Sequence, residues 1–367
     1  MLPEDLIKRL AAIRRELHAL AEAPGQEKRT AAYIAELLKS CKPACLLEDV
    51  GGYGLAAEFT GLEPGPRVGL RAELDALALE QGARHGCGHD GHMALLCGVA
   101  LSLAERPPRC GSVVLIFQPA EETGQGAAAM LADPRWLEIA PDLIFALHNL
   151  PGLVLGEVAI RVGVMNLASV GMEVRLNGAA SHAAQPEQGR SPALALARLL
   201  VEMPAMAKDG ELFTLTHARL GAPGFGTSPG EALIQATFRA PSDEVLASLR
   251  TRASRLLDEA VSGDGLTTHL AWPEPFAATC NQAVAVEIVR QAATQCGLSL
   301  HEPGQPFRWS EDFGCFTQEI PGALFCLGAG AASPPLHAGD YEFPDELLRI
   351  GLELWLAVLD QAQTIHS

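Results

Sequence analysis

The first part of the chain alternates helix-like and strand-like patterns of apolar positions. Leu6, Leu10, Ile13, Leu17 and Leu20 recur at helical spacing, and a second helical pattern follows the turn at 23–26. Later apolar runs are short and continuous, as in strands buried on both faces, and helical patterns separate them. This order predicts an α/β domain with a largely parallel sheet. The pattern predicts strands at 67–74, 112–117 and 143–147 and helices at 92–105 and 122–132.

After about Val164 the pattern changes to alternation. Every second residue from Val170 to Leu176 is apolar, which is typical of a strand with one buried face. The predicted order here is β-α-β-β-α-β, a ferredoxin-like α+β module. From Pro275 the earlier pattern returns, with helices at 283–296 and 345–362 and a strand at 323–327. We therefore predict an α/β domain formed by residues 1–165 and 275–367, with an inserted α+β domain at 166–274.

Composition narrows the classes of protein that fit this pattern. Of the 367 residues, 48% are hydrophobic and the net charge is −17, which argues against a disordered chain and against binding to nucleic acid or anionic membranes. No apolar run reaches the ~20 residues of a membrane-spanning helix, and the first residues do not resemble a secretory signal. Nine cysteines, mostly in apolar runs, indicate buried reduced thiols. We expect a cytoplasmic protein that binds small molecules or metal cations.

The segment 85–92 carries three histidines, a cysteine and an aspartate, separated by glycines. In an extended loop residues i and i+2 point the same way, so Cys87 and His89 could bind one metal ion. The alternative is a loop before a helix, with Asp90 as the helix cap and the histidines in solvent.

Three further segments add candidate ligands near the ends of predicted strands, where open α/β sheets usually place their sites. Glu121 and Glu122 are adjacent at a predicted helix start, so one can bind metal while the other faces a bound water. His148 ends an apolar strand, and His337 lies far along the chain. Each is a weak signal alone. Cys87, His89, Glu122, His148 and His337 together are five ligands, which suits two metal ions sharing a bridging water.

These segments resemble the amidohydrolase branch of the aminoacylase/carboxypeptidase metallopeptidase family, which includes hippurate hydrolases and plant indole-acetyl-amino-acid hydrolases. The similarity covers nearly the whole chain. The motifs that carry it, in chain order, are Arg71-Ala-Glu-Leu-Asp-Ala-Leu77, His85–His92, Gln118-Pro-Ala-Glu-Glu122, Ser181-His-Ala-Ala184, Ser310-Glu-Asp-Phe313 and Leu336-His337.

The resemblance implies an enzyme that hydrolyses the amide bond of N-acyl amino acids with two Mn, Zn or Ni ions. It implies a phosphorylase/hydrolase-like catalytic α/β domain and a ferredoxin-like lid that forms a homodimer, or a tetramer. It also implies roles for single residues: the five ligands named above, Glu121 as general base, Asp75 as a carboxylate that orients the cluster, His182 acting in the neighbouring subunit's site, and Arg239 binding the substrate carboxylate.

Two departures from the family pattern fall on the substrate side. Residues 226–231 replace the usual Asn-x-Ile-Pro-like turn, and Trp309 stands where a small residue commonly precedes Ser310. Two rival functions remain open, a dinuclear aminopeptidase or dipeptidase and a metal-binding homologue without turnover. The Cys87 motif and the lid insert favour the amidohydrolase over the peptidase, and the presence of Glu121 with all five ligands argues against loss of turnover.

Overall fold

The computed structural model describes residues 2–364, which divide into two compact units. The larger unit consists of the chain up to Met165, residues Thr279–Phe307 and the chain from Glu311 onwards. The smaller unit consists of Asn166–Ala278 and Arg308–Ser310. The α-helices of the described residues are α1 (Glu4–Leu20), α2 (Lys28–Cys41), α3 (His89–Glu105), α4 (Gly126–Ala132), α5 (Trp136–Ile139), α6 (Ala193–Ala205), α7 (Asp243–Val261), α8 (Ala283–Gln295), α9 (Gly314–Glu319) and α10 (Leu347–Ala362). The strands are β1 (Cys45–Val50), β2 (Gly54–Thr60), β3 (Glu63–Glu73), β4 (Leu77–Ala78), β5 (Ala83–Arg84), β6 (Cys110–Gln118), β7 (Leu143–Leu150), β8 (Val158–Ala159), β9 (Gly163–Asn166), β10 (Ala168–Asn177), β11 (Ser181–His182), β12 (Leu212–Leu220), β13 (Thr227–Ser228), β14 (Glu231–Ala240), β15 (Thr267–Ala271), β16 (Thr279–Asn281), β17 (Leu300–His301) and β18 (Gly322–Gly328).

The larger unit is built on an eight-stranded sheet in the order β1-β2-β6-β3-β7-β18-β8-β17. The four central strands β6, β3, β7 and β18 are mutually parallel, while β1 and β2 pair antiparallel at one side and β8 pairs antiparallel with β18. Every residue of β18 is buried, as continuous apolar strands require. Helix α3, buried along most of its length, packs against α1 and α10. The expected α/β fold with a mostly parallel central sheet is confirmed.

The smaller unit has a four-stranded antiparallel sheet in the order β12-β14-β10-β15. With α6 after β10 and α7 after β14, this is the ferredoxin-like β-α-β-β-α-β order, as predicted from the alternating pattern. The apolar face of β10 packs with Leu199 of α6 and Leu249 of α7 in one buried cluster. Strand β12 is an edge of this sheet and most of its residues are exposed.

Three sequence expectations need correction. The helix expected at 122–132 is two elements, a 3₁₀ helix at Glu121–Thr123 and α4, because Gly124 takes a left-handed φ of 68° between them. The helix expected from residue 92 begins three residues earlier, at His89. Strands β1 and β2 were not predicted at all. None of the helices in the described part of the chain combines the length and hydrophobicity needed to cross a membrane.

Candidate active site

The candidate residues of the larger unit gather at the carboxyl ends of its central parallel strands. Asp75 follows β3, Glu121 and Glu122 follow β6, and His148 lies near the end of β7. Because these strands are parallel, their carboxyl ends share one edge of the sheet, where open α/β sheets place their ligands.

Cys87 and His89 come together by a turn rather than by an extended loop, so the geometric reason given from the sequence was wrong. Gly88 has a left-handed φ of 88° and His89 is the first residue of α3. A Cβ at Gly88 would lie 2.2 Å from Asn149 Oδ1, so both the conformation and the space at position 88 require glycine.

The alternative in which Asp90 caps the helix and the histidines are solvated is also wrong. No side chain caps the start of α3, and Asp90 instead accepts hydrogen bonds from Arg14 Nη1 at 3.0 Å and His18 Nδ1 at 2.8 Å. His85, His89 and His92 are all buried.

The five candidate ligands form overlapping groups whose donor atoms lie within 4.8 Å of one another. One group is Cys87, His89 and His148, and another is Cys87, Glu122 and His337. Cys87 Sγ is 2.9 Å from His337 Nε2, and His89 Nε2 is 4.0 Å from Glu122 Oε1. Cys87 belongs to both groups, as a ligand near two ions would.

Hydrogen bonds fix the tautomers of two candidate imidazole ligands. His89 Nδ1 donates to the Asp75 carbonyl oxygen at 2.9 Å, so its Nε2 carries the lone pair. His148 Nδ1 donates to the Asn149 carbonyl oxygen at 2.7 Å, which fixes the same tautomer. His89 Nε2 and Glu122 Oε1 are buried and have no hydrogen-bond partner. Buried polar atoms are rarely left unpaired, and a thiol, imidazoles and a carboxylate are donors that suit Zn and similar divalent ions. The residues therefore fit a metal centre.

His337 reaches this group from an unusual backbone conformation. Its φ is 69°, in the left-handed region, and its N–H donates to the Gly86 carbonyl oxygen at 2.9 Å. Arg84 donates to its carbonyl oxygen at 3.2 Å. A non-glycine residue in this region costs roughly 1–2 kcal/mol and is held there by its surroundings.

Burial and neighbouring negative charges shift the pKa values of the candidate site residues. Burial, then the Glu311 carboxylate, raises the pKa of Glu121 well above its usual value. Burial raises the pKa of Glu122 to about 7 and lowers that of His89 to about 3. Burial also raises the pKa of the Cys87 thiol. A bound cation reverses this effect on its own ligands, because it favours the thiolate and the carboxylate.

Asp75 is fully buried behind the two glutamates. Its Oδ2 accepts the backbone N–H of Glu122 at 3.0 Å, and its Oδ1 is 3.9 Å from His89 Nδ1. Asp75 thus contacts the backbone of one candidate ligand and lies beside another.

A buried ion network that was not predicted from the sequence lies beside Glu121. Arg71 pairs with Glu73, and with Glu311 and Asp312 at 2.8 Å each. Acceptor oxygens of Glu121, Glu311 and Asp312 lie within 4.8 Å of one another. Glu73 in turn accepts from His92 Nδ1 at 2.7 Å. The signal was present: Arg71 and Glu73 are charged residues inside an apolar strand run, and a buried charge must be paired.

The two remaining candidates lie in the smaller unit. His182 is exposed in β11, opposite Thr227 of β13, and its Nδ1 accepts the Ala184 N–H at 3.1 Å. Arg239 of β14 donates to Ser310 Oγ at 2.8 Å and to the Arg308 carbonyl oxygen at 3.1 Å. Burial lowers the pKa of Arg239.

Known proteins resemble this chain over most of its length. The family model for peptidase family M20/M25/M40 matches residues 69–361. The N-acetyl-L-cysteine deacetylase of Bacillus subtilis is 30% identical over 88% of this chain and 81% of the relative. IAA-amino acid hydrolase ILR1-like 4 of Arabidopsis thaliana is 30% identical over 95% of this chain and 84% of the relative. The Bacillus subtilis YXEP protein, described as a dinuclear metal binding peptidase of the M20 family, has the same fold, with a TM-score of 0.82 at 23% identity and 99% of both chains covered.

Proposed function

The chain belongs to peptidase family M20/M25/M40, and from that premise we propose that it hydrolyses N-acyl amino acids to a carboxylic acid and a free amino acid. The membership confirms the resemblance found in the motifs, and with it the expectation of a hydrolase that acts on amide bonds. The relatives that support this substrate class are deacetylases of N-acetyl amino acids and a hydrolase of IAA-amino acids.

We propose Cys87, His89, Glu122, His148 and His337 as the ligands of two divalent ions, Mn, Zn or Ni. The observation that carries this proposal is the buried pair of His89 Nε2 and Glu122 Oε1, 4.0 Å apart and without hydrogen-bond partners. When bound, two such ions supply an activated water and polarise the scissile carbonyl group.

Glu121 is the proposed general base. Its Oε2 lies 3.9 Å from His89 Nε2, so it borders the ligand group, and its carboxyl group is almost fully buried. In this role Glu121 takes a proton from the attacking water and returns it to the departing amine. The Asp75 carboxylate accepts a hydrogen bond from the N–H of Glu122, the residue after Glu121, and so fixes the backbone next to the proposed base.

For the smaller unit the proposals rest on the family resemblance. We propose that residues 166–274 form the lid and the dimer interface, and that His182 stabilises the oxyanion in the site of the partner subunit. Arg239 is proposed to bind the substrate carboxylate, with a guanidinium that already donates to Ser310 Oγ. We also propose a cytoplasmic location.

The test is a substrate panel with added Mn²⁺. N-acetyl and N-benzoyl amino acids should be hydrolysed, because the proposed reaction needs no free substrate amine. Free dipeptides should not be hydrolysed. Turnover of dipeptides alone would make the protein an aminopeptidase instead.

The Glu121→Gln variant tests the base on the best substrate of that panel. It keeps the shape of the side chain but cannot accept the proton, so kcat should fall by about 10²–10⁴-fold while the metal content stays that of wild type. Glu211→Gln is the matched control, because Glu211 is a buried carboxylate of the smaller unit that pairs with Arg252. Retention of most activity in Glu121→Gln would show that the base is another group.

A further inference from the structure

Glu27 is a buried carboxylate in an exposed turn. Its neighbours Gln26 and Lys28 are exposed, whereas Glu27 itself is 0% exposed. It stands at the N-cap position of α2, yet its side chain makes no capping hydrogen bond to that helix. A glutamate in such a turn would ordinarily extend into solvent, so its inward direction needs a reason.

The side chain holds the peptide that leads into Glu121. Glu27 Oε1 accepts the N–H of Ala120 at 2.8 Å and the N–H of Gly25 at 2.7 Å. Its Oε2 is buried and has no hydrogen-bond partner. The carboxyl group therefore binds these two N–H groups through Oε1 alone.

Ala120 is the residue whose conformation sets the direction of Glu121. Its φ of 50° and ψ of 41° are left-handed, which is unfavourable for alanine, and the 3₁₀ helix begins at the next residue. The Ala120 carbonyl oxygen accepts from Gln125 N at 3.3 Å and Gly126 N at 3.2 Å. With Glu27 on its N–H, the strained residue is therefore held on both sides.

A neighbouring glutamate in the same turn has a different task. Glu22 Oε2 accepts the N–H groups of Arg29 at 2.8 Å and Thr30 at 2.9 Å, so it caps the first turn of α2. Among the described residues, the Glu22 side chain makes no hydrogen bond to Ala120. The two carboxylates thus offer a matched comparison between stabilising a helix and holding the peptide before Glu121.

We propose that Glu27 is a positioning residue for Glu121: its carboxylate fixes the left-handed Ala120 peptide and thereby aims the general base. The inference rests on the proposed function of Glu121. It does not depend on the charge of Glu27, since an uncharged amide oxygen can accept the same two N–H groups. It depends on the length of the side chain.

Two variants separate the length of the Glu27 side chain from its charge. Glu27→Asp keeps the charge and is a favoured N-cap residue, but it is one methylene too short to reach Ala120 N, so kcat should fall by about 10–100-fold. Glu27→Gln keeps the length, so kcat should stay within about threefold of wild type. In both variants KM should change by less than about threefold, because the base acts in the transition state rather than in substrate binding.

Metal content and the melting temperature of the two variants are measured with the kinetics. Metal content should match wild type in both. The melting temperature should match wild type in Glu27→Gln and fall in Glu27→Asp, because the shorter side chain loses buried hydrogen bonds. Glu22→Ala is the control: it should lower the melting temperature, because it removes the cap of α2, and leave kcat unchanged. Wild-type kcat in Glu27→Asp would overturn the proposal, and so would a loss in Glu27→Gln as large as that in Glu27→Asp. If Glu121→Gln itself keeps activity, the general-base assignment fails instead, whatever the Glu27 variants show.

Discussion

Arg71 is the cation on which the buried acidic network depends. Its side chain is fully buried; Nη2 donates to Glu311 and Asp312 at 2.8 Å each, and Nη1 donates to Glu73. Nε donates to Gln118 Oε1 at 2.8 Å. Burial alone would lower the pKa of Arg71, but these carboxylates raise it above its usual value, so the guanidinium stays charged.

We predict that Arg71→Met strongly destabilises the larger unit. Methionine fills much of the volume but leaves three carboxylates without their cation, and all three side chains are at most 2% exposed. Removing one partner of a buried ion pair costs about 3–5 kcal/mol, and a cation shared by three carboxylates belongs at the upper end. For a unit of this size about 5 kcal/mol corresponds to a fall in melting temperature of about 10–20 °C.

The assay is thermal unfolding followed by circular dichroism, in a chelator so that metal binding does not contribute. Arg290→Met is the matched control, because Arg290 pairs with Glu302 at the same 2.8 Å but the two side chains are 32% and 64% exposed. An exposed pair is worth about 0–1 kcal/mol, so this control should melt within about 4 °C of wild type. If Arg71→Met also melts within that range, the reasoning from buried charge is wrong.

Two further predictions test the proposed ligands and the proposed assembly. Cys87→Ser replaces a soft thiolate by a hydroxyl group, so metal content and activity should fall together, whereas Cys97→Ser, buried in α3, should change only stability; equal metal content by atomic emission in both would contradict the ligand assignment. Glu121→Gln and His182→Ala, each inactive alone, should regain activity towards half that of wild type when their subunits exchange, because one site of the mixed dimer then has both residues intact. Verified exchange without activity would place His182 in its own subunit's site.

The sequence predicted the parts of the fold that show a local period or a continuous apolar run. The alternation in β10 revealed the ferredoxin-like unit, and the continuous apolar run at 112–117 lies within strand β6. The strands β1 and β2 were missed because neither shows a clear alternation or an uninterrupted apolar run: β1 is largely half-buried or exposed, and Glu58 interrupts the apolar residues of β2. The pairing of β2 with β6 joins segments more than 50 positions apart, and no local pattern predicts it.

The candidate site was predictable for a related reason. Candidate ligands that follow predicted strands can be recognised in the sequence. Because parallel strands bring their carboxyl ends to one edge of the sheet, such residues are expected to lie together. The buried residues that support these ligands cannot be recognised in the same way. Arg71 and Asp312 are 241 positions apart, and the link of Glu27 to Ala120 spans 93 positions. Such partners become evident only when a charged residue in an apolar setting is recognised as needing a counterpart.

The charge at this edge of the sheet favours two metal ions over one. Six buried or half-buried carboxylates gather there, while among the described residues Arg71 is the one guanidinium that pairs with any of them. Burial raises the pKa of Asp75 and of Glu121, and a nearby cation would favour their charged forms. A single divalent ion would leave most of this negative charge uncompensated, whereas two ions balance most of it. Charge and the number of candidate ligands therefore both support the two ions proposed above. The carboxylates concerned are Glu73, Asp75, Glu121, Glu122, Glu311 and Asp312.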